Sequence, residues 1–462
     1  MLSAGIAIPT HFAFPSASSM VYALDLSRTD RCRAGSGFGV AMSVDGEARG
    51  LGWPAVVGLG AAHFCLFADR AIPSAFAPAL RADFGLTDAQ IGLLIGPAMI
   101  LPFAVATIVA ANWLGRVSAW TIITISMLAW SLASATGALA ATFAGMVAGR
   151  IAFGIAQAGF APAAASLLSR SIKPPAPLAI SAFTTGSASG RSGGLLLGGA
   201  LLLAVGGLAL PVAPWRIASL ALLIPNILLA LMLWRLSRRA IEAHVPAPGL
   251  GSGLRWIGSV RTTFLGHMIA SAGILMIAQA IGAWAPSILN REFGLTTAGS
   301  AMLAGAAVLI GVPIGHLAAG RLASRAHFLR SGPAPLMIGG SLIAFVGCIA
   351  LHAATSLAGA TIALVVMIAG GGVAAATSLI GLQLMVPPRE RLSVNALFLA
   401  VTTAFGYAIG PWLTGWLSDA IEHDGHALAF ALLLLVAGAA ALVFVAAISA
   451  SAGWRRLAAD NA

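Results

Sequence analysis

Twelve apolar runs of about twenty residues or more occupy almost the whole chain from Trp53 onward. They lie near 53–79, 89–112, 117–138, 142–169, 177–206, 214–235, 260–288, 297–321, 334–354, 357–385, 392–418 and 427–449. About twenty mostly apolar residues are what one helix needs to cross the hydrocarbon core of a bilayer. The pattern therefore predicts an all-α, polytopic membrane protein with twelve transmembrane helices. Composition leaves no soluble alternative: 59% of residues are hydrophobic and only 8% are charged, against roughly 25% charged in soluble domains. Much of any folded surface must face water in a soluble protein, whereas here the lipid takes that place.

The longest polar connection, Leu236 to Ser259, separates the sixth run from the seventh and carries Arg238, Arg239, Glu242, Pro246, Pro248 and Arg255. It predicts a division into a six-helix bundle over 51–236, a cytoplasmic linker over 237–259, a second six-helix bundle over 260–450 and a cytoplasmic tail over 451–462. Residues 1–50 read either as a disordered tail or as an over-long start whose true beginning is Met42, the latter being favoured. They show no basic region followed by a long apolar core, as a signal peptide would.

An internal repeat supports the division. Phe84-Gly85-Leu86-Thr87 recurs 209 residues later as Phe293-Gly294-Leu295-Thr296. At the same offset Asp83 meets Glu292, Gly96 meets Gly305 and Arg116 meets Arg325; Pro174-Pro175 recurs as Pro387-Pro388 after 213 residues. A collinear series of this kind indicates duplicated halves, and two six-helix repeats related by an axis along the membrane normal are an organisation of secondary transporters.

Basic residues give the orientation. With the N-terminus inside, the inner segments hold Arg116, Arg170, Lys173, Arg238, Arg239, Arg321, Arg325, Arg330, Arg389, Arg391, Arg455 and Arg456 among others. The outer loops hold only Arg81, Arg216 and Arg291, with Asp83, Asp88, Glu292, Glu422 and Asp424. This asymmetry predicts a multi-pass protein of the cell inner membrane with both termini cytoplasmic. The formal charge of +11 is thus a topology signal and not a nucleic-acid footprint. Cys32, Cys65 and Cys348 form no CxxC pair, and His63, His267, His316 and His352 have no ligand spacing, so neither metal nor cofactor is expected. No HExxH or GxxxxGK[ST] is present, which argues against an intramembrane enzyme of the metalloprotease kind and an ATP-driven pump.

Four ionisable residues lie deep in the apolar runs: Asp69 and Arg70 in the first, Arg150 in the fourth and Arg191 in the fifth. A charge at mid-bilayer costs at least about 2.5–3.5 kcal/mol, so such groups face a bundle interior or a wet cavity. Counting along the helices places Asp69, Arg70 and Arg150 roughly 12–16 Å below the outer surface. Competition between desolvation and a nearby arginine suits a carboxylate to proton loading. Asp69 and Arg150 are accordingly the candidate proton-coupling pair, a permanent packing ion pair being the alternative. One acid among three arginines leaves a charge of about +2, favouring an anionic substrate or the anionic head of an amphipathic one.

Arg70, Gln157 and Arg191 are the candidate substrate-binding residues of the first half. Gln279, Trp284, Gln383, Asn395 and Tyr407 are those of the second, with interhelical packing as the competing role. Gly186, Gly190, Gly194 and Gly198 recur every four residues and predict a close helix–helix approach beside Arg191.

These residues resemble a major facilitator superfamily transporter over about 53–450. The loop pattern G-x-L-A-D-R-x-G-R-R is matched by Gly320-Arg321-Leu322-Ala323-Ser324-Arg325 and more faintly by Asn112-Trp113-Leu114-Gly115-Arg116. Arg116, Gly320, Arg321 and Arg325 are the implied gating-loop residues; Gly115 and Ser324 stand where the pattern has its aspartate, removing the charge lock ascribed to it. A narrower resemblance to the bacterial spinster-like branch rests on three segments. They are Phe67-Ala68-Asp69-Arg70, Arg81-Ala82-Asp83-Phe84-Gly85-Leu86-Thr87-Asp88 and Arg150-Ile151-Ala152-Phe153-Gly154-Ile155-Ala156-Gln157-Ala158. In that branch the Asp-Arg of the first helix and the arginine of the fourth are implicated in proton coupling. The branch's G-x-G-E-A has Gln157 for its glutamate here, so coupling would rest on Asp69. The resulting expectation is a monomeric, proton-coupled secondary transporter of an anionic or amphipathic small molecule. An organic-anion:cation symporter or uniporter of the same fold, and a non-transporting receptor or sensor, are the alternatives.

Overall fold

The computed structural model describes residues 52–111, 116–170, 176–208, 211–238, 251–325, 328, 331–387, 389–421 and 426–460. The expectations for residues 1–50, Met42 as a start, Asn112–Gly115, Lys173, most of the 237–259 linker, Arg330, Glu422 and Asp424 fall outside these. Among the described residues the secondary structure is helical with no strand. Twelve helices are long and apolar enough to cross a membrane: span 1 (Trp53–Ala75), span 2 (Asp88–Thr107), span 3 (Ala119–Leu139), span 4 (Phe143–Leu168), span 5 (Leu178–Gly206), span 6 (Pro214–Ser237), span 7 (Arg261–Phe293), span 8 (Thr297–Ala323), span 9 (Ala334–His352), span 10 (Leu357–Met385), span 11 (Ser393–Ile421) and span 12 (Ala427–Leu457). The protein is a multi-pass membrane protein.

Local chemistry sets the boundaries. Span 1 stops before its apolar run does, because the chain turns at Phe76 into a short helix, Ala77–Phe84, with a proline in its first turn. Proline is tolerated there because its missing N–H would have no helical partner anyway. The repeated Phe-Gly-Leu-Thr segment is a helix stop followed by a helix start. Gly85 and Gly294 end their helices at φ 63° and 65°, where a Cβ would be strained. Thr87 then accepts the backbone N–H of Gln90 in a capping box, and Thr296 accepts that of Gly299. The preceding acids are used equivalently too. Asp83 reaches the start of span 6, accepting from the Trp215 indole at 3.1 Å, while Glu292 reaches His426, next to span 12, at 3.2 Å.

Within the first half span 1 packs along span 5 and span 3 along span 4; within the second, span 7 packs along spans 11 and 12, and span 10 along spans 8 and 9. The glycine stripe of span 5 is the seam with span 1: Gly186, Gly190 and Gly194 lie against the backbone at Gly60, Phe64 and Ala68. The halves meet where span 2 lies against span 11 and span 5 against span 8. Large apolar side chains such as Val105, Leu132, Ile362 and Val445 remain exposed on the protein, as lipid-facing residues must be.

Candidate functional site

The cross-half contact is concentrated toward the end that carries Asp88. Gly92 and Gly96 of span 2 lie against the backbone of Pro411, Trp412 and Tyr407 in span 11, and Gly415 lies against the Asp88 carbonyl. Across the pseudo-axis Gly305 of span 8 packs on Leu195 and Leu196, and Gly199 of span 5 on Ala298 and Met302. Glycines farther from this end, Gly186 and Gly190 on span 5 and Gly311 and Gly315 on span 8, pack within their own halves. The repeated pair Gly96 and Gly305 thus performs the same task twice, letting two helix backbones touch across the interface.

A charge network fastens the same end. Asp88, only 3% exposed, accepts from Arg81 at 2.5 Å, from both terminal nitrogens of Arg291 at 2.5 and 2.7 Å, and from the Ser418 hydroxyl at 2.8 Å. Asp419 of span 11 accepts the first two backbone N–H groups of span 2, those of Asp88 and Ala89, at 2.9 and 2.8 Å. A carboxylate there satisfies orphan donors and complements the helix dipole. Trp284 belongs to this seal: it is fully buried and donates its indole N–H to the Pro411 carbonyl at 2.9 Å. At the opposite end Arg116, Arg321 and Arg325 are exposed, and among the described residues no ion pair joins the halves there.

Between the ends lies a site with two arginines. Arg70 donates its Nε–H to Gln157 Oε1 at 2.8 Å, and its guanidinium lies 5.0 and 4.7 Å from the ring centres of Phe67 and Phe103. Arg191 crosses the interface to hydrogen-bond Gln279 Oε1 of span 7, and lies 5.9 Å from the ring centre of Tyr407. Both guanidiniums are held by neutral amides and aromatic faces, and among the described residues neither has a carboxylate partner. Gln157 keeps its Nε2 group buried and without a partner among the described residues. The site is therefore cationic and carries uncommitted donors.

Asp69 faces elsewhere. Its carboxylate accepts from Asn226 Nδ2 of span 6 at 2.7 Å, and with Arg150 it lines a cavity of about 80 Å³ inside the first half. Arg150 donates to the Leu94 carbonyl at 3.0 Å, lies 3.4 Å from the Met99 sulfur and rests 4.8 Å from the Phe153 ring centre. That carbonyl lies in the last turn before span 2 breaks at Gly96-Pro97, where the helical pairing of carbonyls is interrupted. Asp69 and Arg150 thus share a compartment without a direct ion pair.

The structure brings together Arg70, Gln157, Arg191, Gln279 and Tyr407, and separately Asp69 and Arg150. It places Gln383 on an exposed surface and Asn395 half-buried, its Oδ1 unpartnered among the described residues. His63 and His267 are bonded to the carbonyls of Phe183 and Ser378. Sequence reasoning missed Asn226 and the latch of Arg81, Asp88, Arg291, Ser418 and Asp419. Asn226, following Pro225 in an otherwise apolar stretch, was the available signal for the first.

The sequence model of the Major Facilitator Superfamily matches residues 59–411. A protein of Mycolicibacterium smegmatis named as an MFS-type efflux pump is 28% identical over 418 residues, covering 87% of this chain and 94% of that protein. A bacterial homologue of the human lysosomal transporter Spinster is similar in structure in two inward-facing forms. The unoccupied form gives a TM-score of 0.74 at 23% identity, and the occupied form 0.70 at 24%; each comparison covers 88% of this chain and 96% of the other.

Proposed function

Because the chain belongs to the Major Facilitator Superfamily, we propose that it is a proton-coupled secondary transporter that moves an anionic or amphipathic small molecule by alternating access. The observation that carries the substrate class is the pair Arg70 and Arg191, held by Gln157 and Gln279 at the interface of the halves with no neutralising acid among the described residues. Two half-buried guanidiniums favour a carboxylate, sulfonate or phosphate, which they can engage through charge-assisted, bidentate hydrogen bonds. The aromatic rings of Phe67, Phe103 and Tyr407 beside them suit an apolar portion on the same molecule.

Alternating access needs a seal that can form at either end. The Asp88 end is closed by backbone contact and ion pairs, and the Arg116 end has no cross-half ion pair among the described residues, which supports a state open toward the latter. With Lys and Arg crowded at that end, the reading is an inward-facing state in the inner membrane with both termini cytoplasmic. The efflux name of the mycobacterial relative supports export as the direction. The molecule acts as a monomer, and its proton site is Asp69 with Arg150 beside it.

The test uses purified protein. Thermal stabilisation is measured against a fatty acid, a lysophospholipid, a dicarboxylate and a quaternary ammonium. Stabilisation by the anions and its loss in Arg70→Gln and Arg191→Gln supports the reading; stabilisation by the cation alone sinks it. In proteoliposomes a pH gradient should drive flux of a stabilising anion in wild type but not in Asp69→Asn.

A further inference from the structure

The cavity beside Asp69 is walled by spans 1, 2, 3, 4 and 6 and the Ala77–Phe84 helix, with no residue from the second half. It extends from Asp69 toward the Asp88 end. On span 1 it runs from Asp69 past Ile72 and Pro73 to Phe76, and on span 3 from Ala133 to Ala138, near that helix's end at Leu139. On span 4 it includes Met146, three residues inside the start, and on span 6 Trp215 and Ser219 of the first turns. Its walls are apolar apart from Ser134 and Ser219, and both extremities are polar. The floor is Asp69 and Arg150, with Asn226 bonded to Asp69 from behind. The roof is Trp215, whose indole donates to Asp83, with Arg216 lying 4.4 Å from the Trp215 ring centre and donating to the carbonyls of Ala138 and Ala140.

Ser134 and Ser219 on its walls are half-buried. The two-arginine site, by contrast, is shut off from the Asp88 end by the latch. The cavity thus leads from Asp69 toward the same end that the latch closes over the two-arginine site.

We propose that this cavity is a proton-access route separate from the substrate site, through which Asp69 exchanges its proton with the Asp88 end, and that Asn226 is the positioning residue for both charge states. The inference rests on the proton-coupled reading and adds the route. When Asp69 is charged, Asn226 Nδ2 donates to its Oδ2. A hydronium arriving through the cavity transfers its proton to the carboxylate and leaves as water, and Asp69 becomes a donor. Asn226 Oδ1, buried and without a partner among the described residues, is then available to accept that O–H after rotation of the amide. The charged or titratable groups facing Asp69 are Arg150 from span 4 and Cys65 one turn earlier on span 1, with Arg70 directed away. Spans 2, 3 and 6 contribute Leu94, Ser134, Trp215 and Ser219 to the cavity and Asn226 to the carboxylate, none of them charged.

The test needs no identified substrate. In oriented proteoliposomes, tryptophan fluorescence is followed after a rapid pH jump applied to one side. A fast response is expected from the Asp88 side only, present in wild type and absent in Asp69→Asn. In a background lacking Cys32, Cys65 and Cys348, Gly137→Cys is introduced, since a Cβ at 137 meets no atom within 4 Å; Ser134→Cys is the second variant. Modification of either with the membrane-impermeant 2-sulfonatoethyl methanethiosulfonate from the Asp88 side should slow the response at least tenfold. A response in wild type that persists in Asp69→Asn, or no response at all, overturns the proton reading and the route together. A response lost in Asp69→Asn but driven from the opposite side, or unaffected by modification of both cysteines, overturns the route alone.

Discussion

Asp69 and Arg70 are consecutive residues of span 1, yet they serve different compartments: the carboxylate of Asp69 is bonded by Asn226 in the interior of the first half, while the guanidinium of Arg70 is bonded by Gln157 beside the interface. Successive residues on a helix point about 100° apart, so one turn of backbone can separate the proposed proton site from the proposed anion site while linking their movements. Any shift of span 1 that follows a change of charge at Asp69 moves Arg70 as well. In the proposed mechanism this rigid link is the means of coupling, because proton and anion would both bias one element.

Removing Asn226 should destabilise the protein in a pH-dependent manner. Asn226→Leu leaves a buried carboxylate without its donor, at a cost of about 1–3 kcal/mol. Only the charged form needs that donor, so the loss of melting temperature should be larger at high pH than at low pH. Asp69→Asn should absorb most of it, making the double variant much less destabilised than the sum of the two. Additive melting shifts at every pH would show that the two side chains are not coupled.

Arg70→Gln and Arg191→Gln should each weaken binding of an anionic probe by about 10–100-fold, the size of a lost hydrogen bond to a charged partner. Arg191→Lys should recover the charge but not the forked geometry, and so only part of the affinity. Isothermal titration with a stabilising fatty acid or dicarboxylate measures this. Equal affinity in all three variants would place the anion elsewhere.

Asp88→Asn should loosen the seal at its end. The carboxylate is buried while Arg81 and Arg291 are 37% and 22% exposed, so solvent screening limits the loss to about 1–3 kcal/mol. That is enough to shift a two-state equilibrium by about 5–150-fold toward opening at the Asp88 end. Spin labels at Ala82 and Thr355, exposed residues of the two halves, should show a longer-distance population absent from wild type.

Much of this was legible in the sequence, for reasons that differ by feature. The spans and their number follow from lipid acting as solvent, which leaves a long apolar record in every helix. The repeat was legible because Gly85 and Gly294 must accept positive φ and Thr87 and Thr296 must cap, requirements that few residues meet. The deep charges stood out because each is costly in hydrocarbon. Depth, however, does not give azimuth: Asp69 and Arg70 read as one cluster until the packing of span 1 assigned them to two compartments. Trp284 read as a cavity residue because an indole suits a binding site as well as a seal, and only its bond to Pro411 decides between them. Asp88 and Arg291 read as loop charges, since residues 203 positions apart carry no local sign of meeting.

The last prediction concerns the repeated glycines. An ideal Cβ on Gly96 would sit 2.6 Å from the Tyr407 carbonyl oxygen, and one on Gly305 would sit 2.9 Å from the Leu196 side chain and 3.0 Å from its backbone nitrogen. A carbonyl fixed in a helix cannot retreat, whereas part of the crowding at 305 comes from a side chain that can rotate. Gly96→Ala should therefore open the Asp88 end more than Gly305→Ala does, and Gly96→Leu should open it fully, because overpacking costs about 1–3 kcal/mol at such sites. The strain exists only in the closed state, so it shifts the conformational equilibrium without unfolding the helices. Gly137→Ala, where the new methyl meets no atom within 4 Å, serves as the neutral control. The Ala82–Thr355 label pair reads all four variants. Distances unchanged in Gly96→Leu would mean that span 2 and span 11 do not form the seal, and the alternating-access reading of this interface would fall.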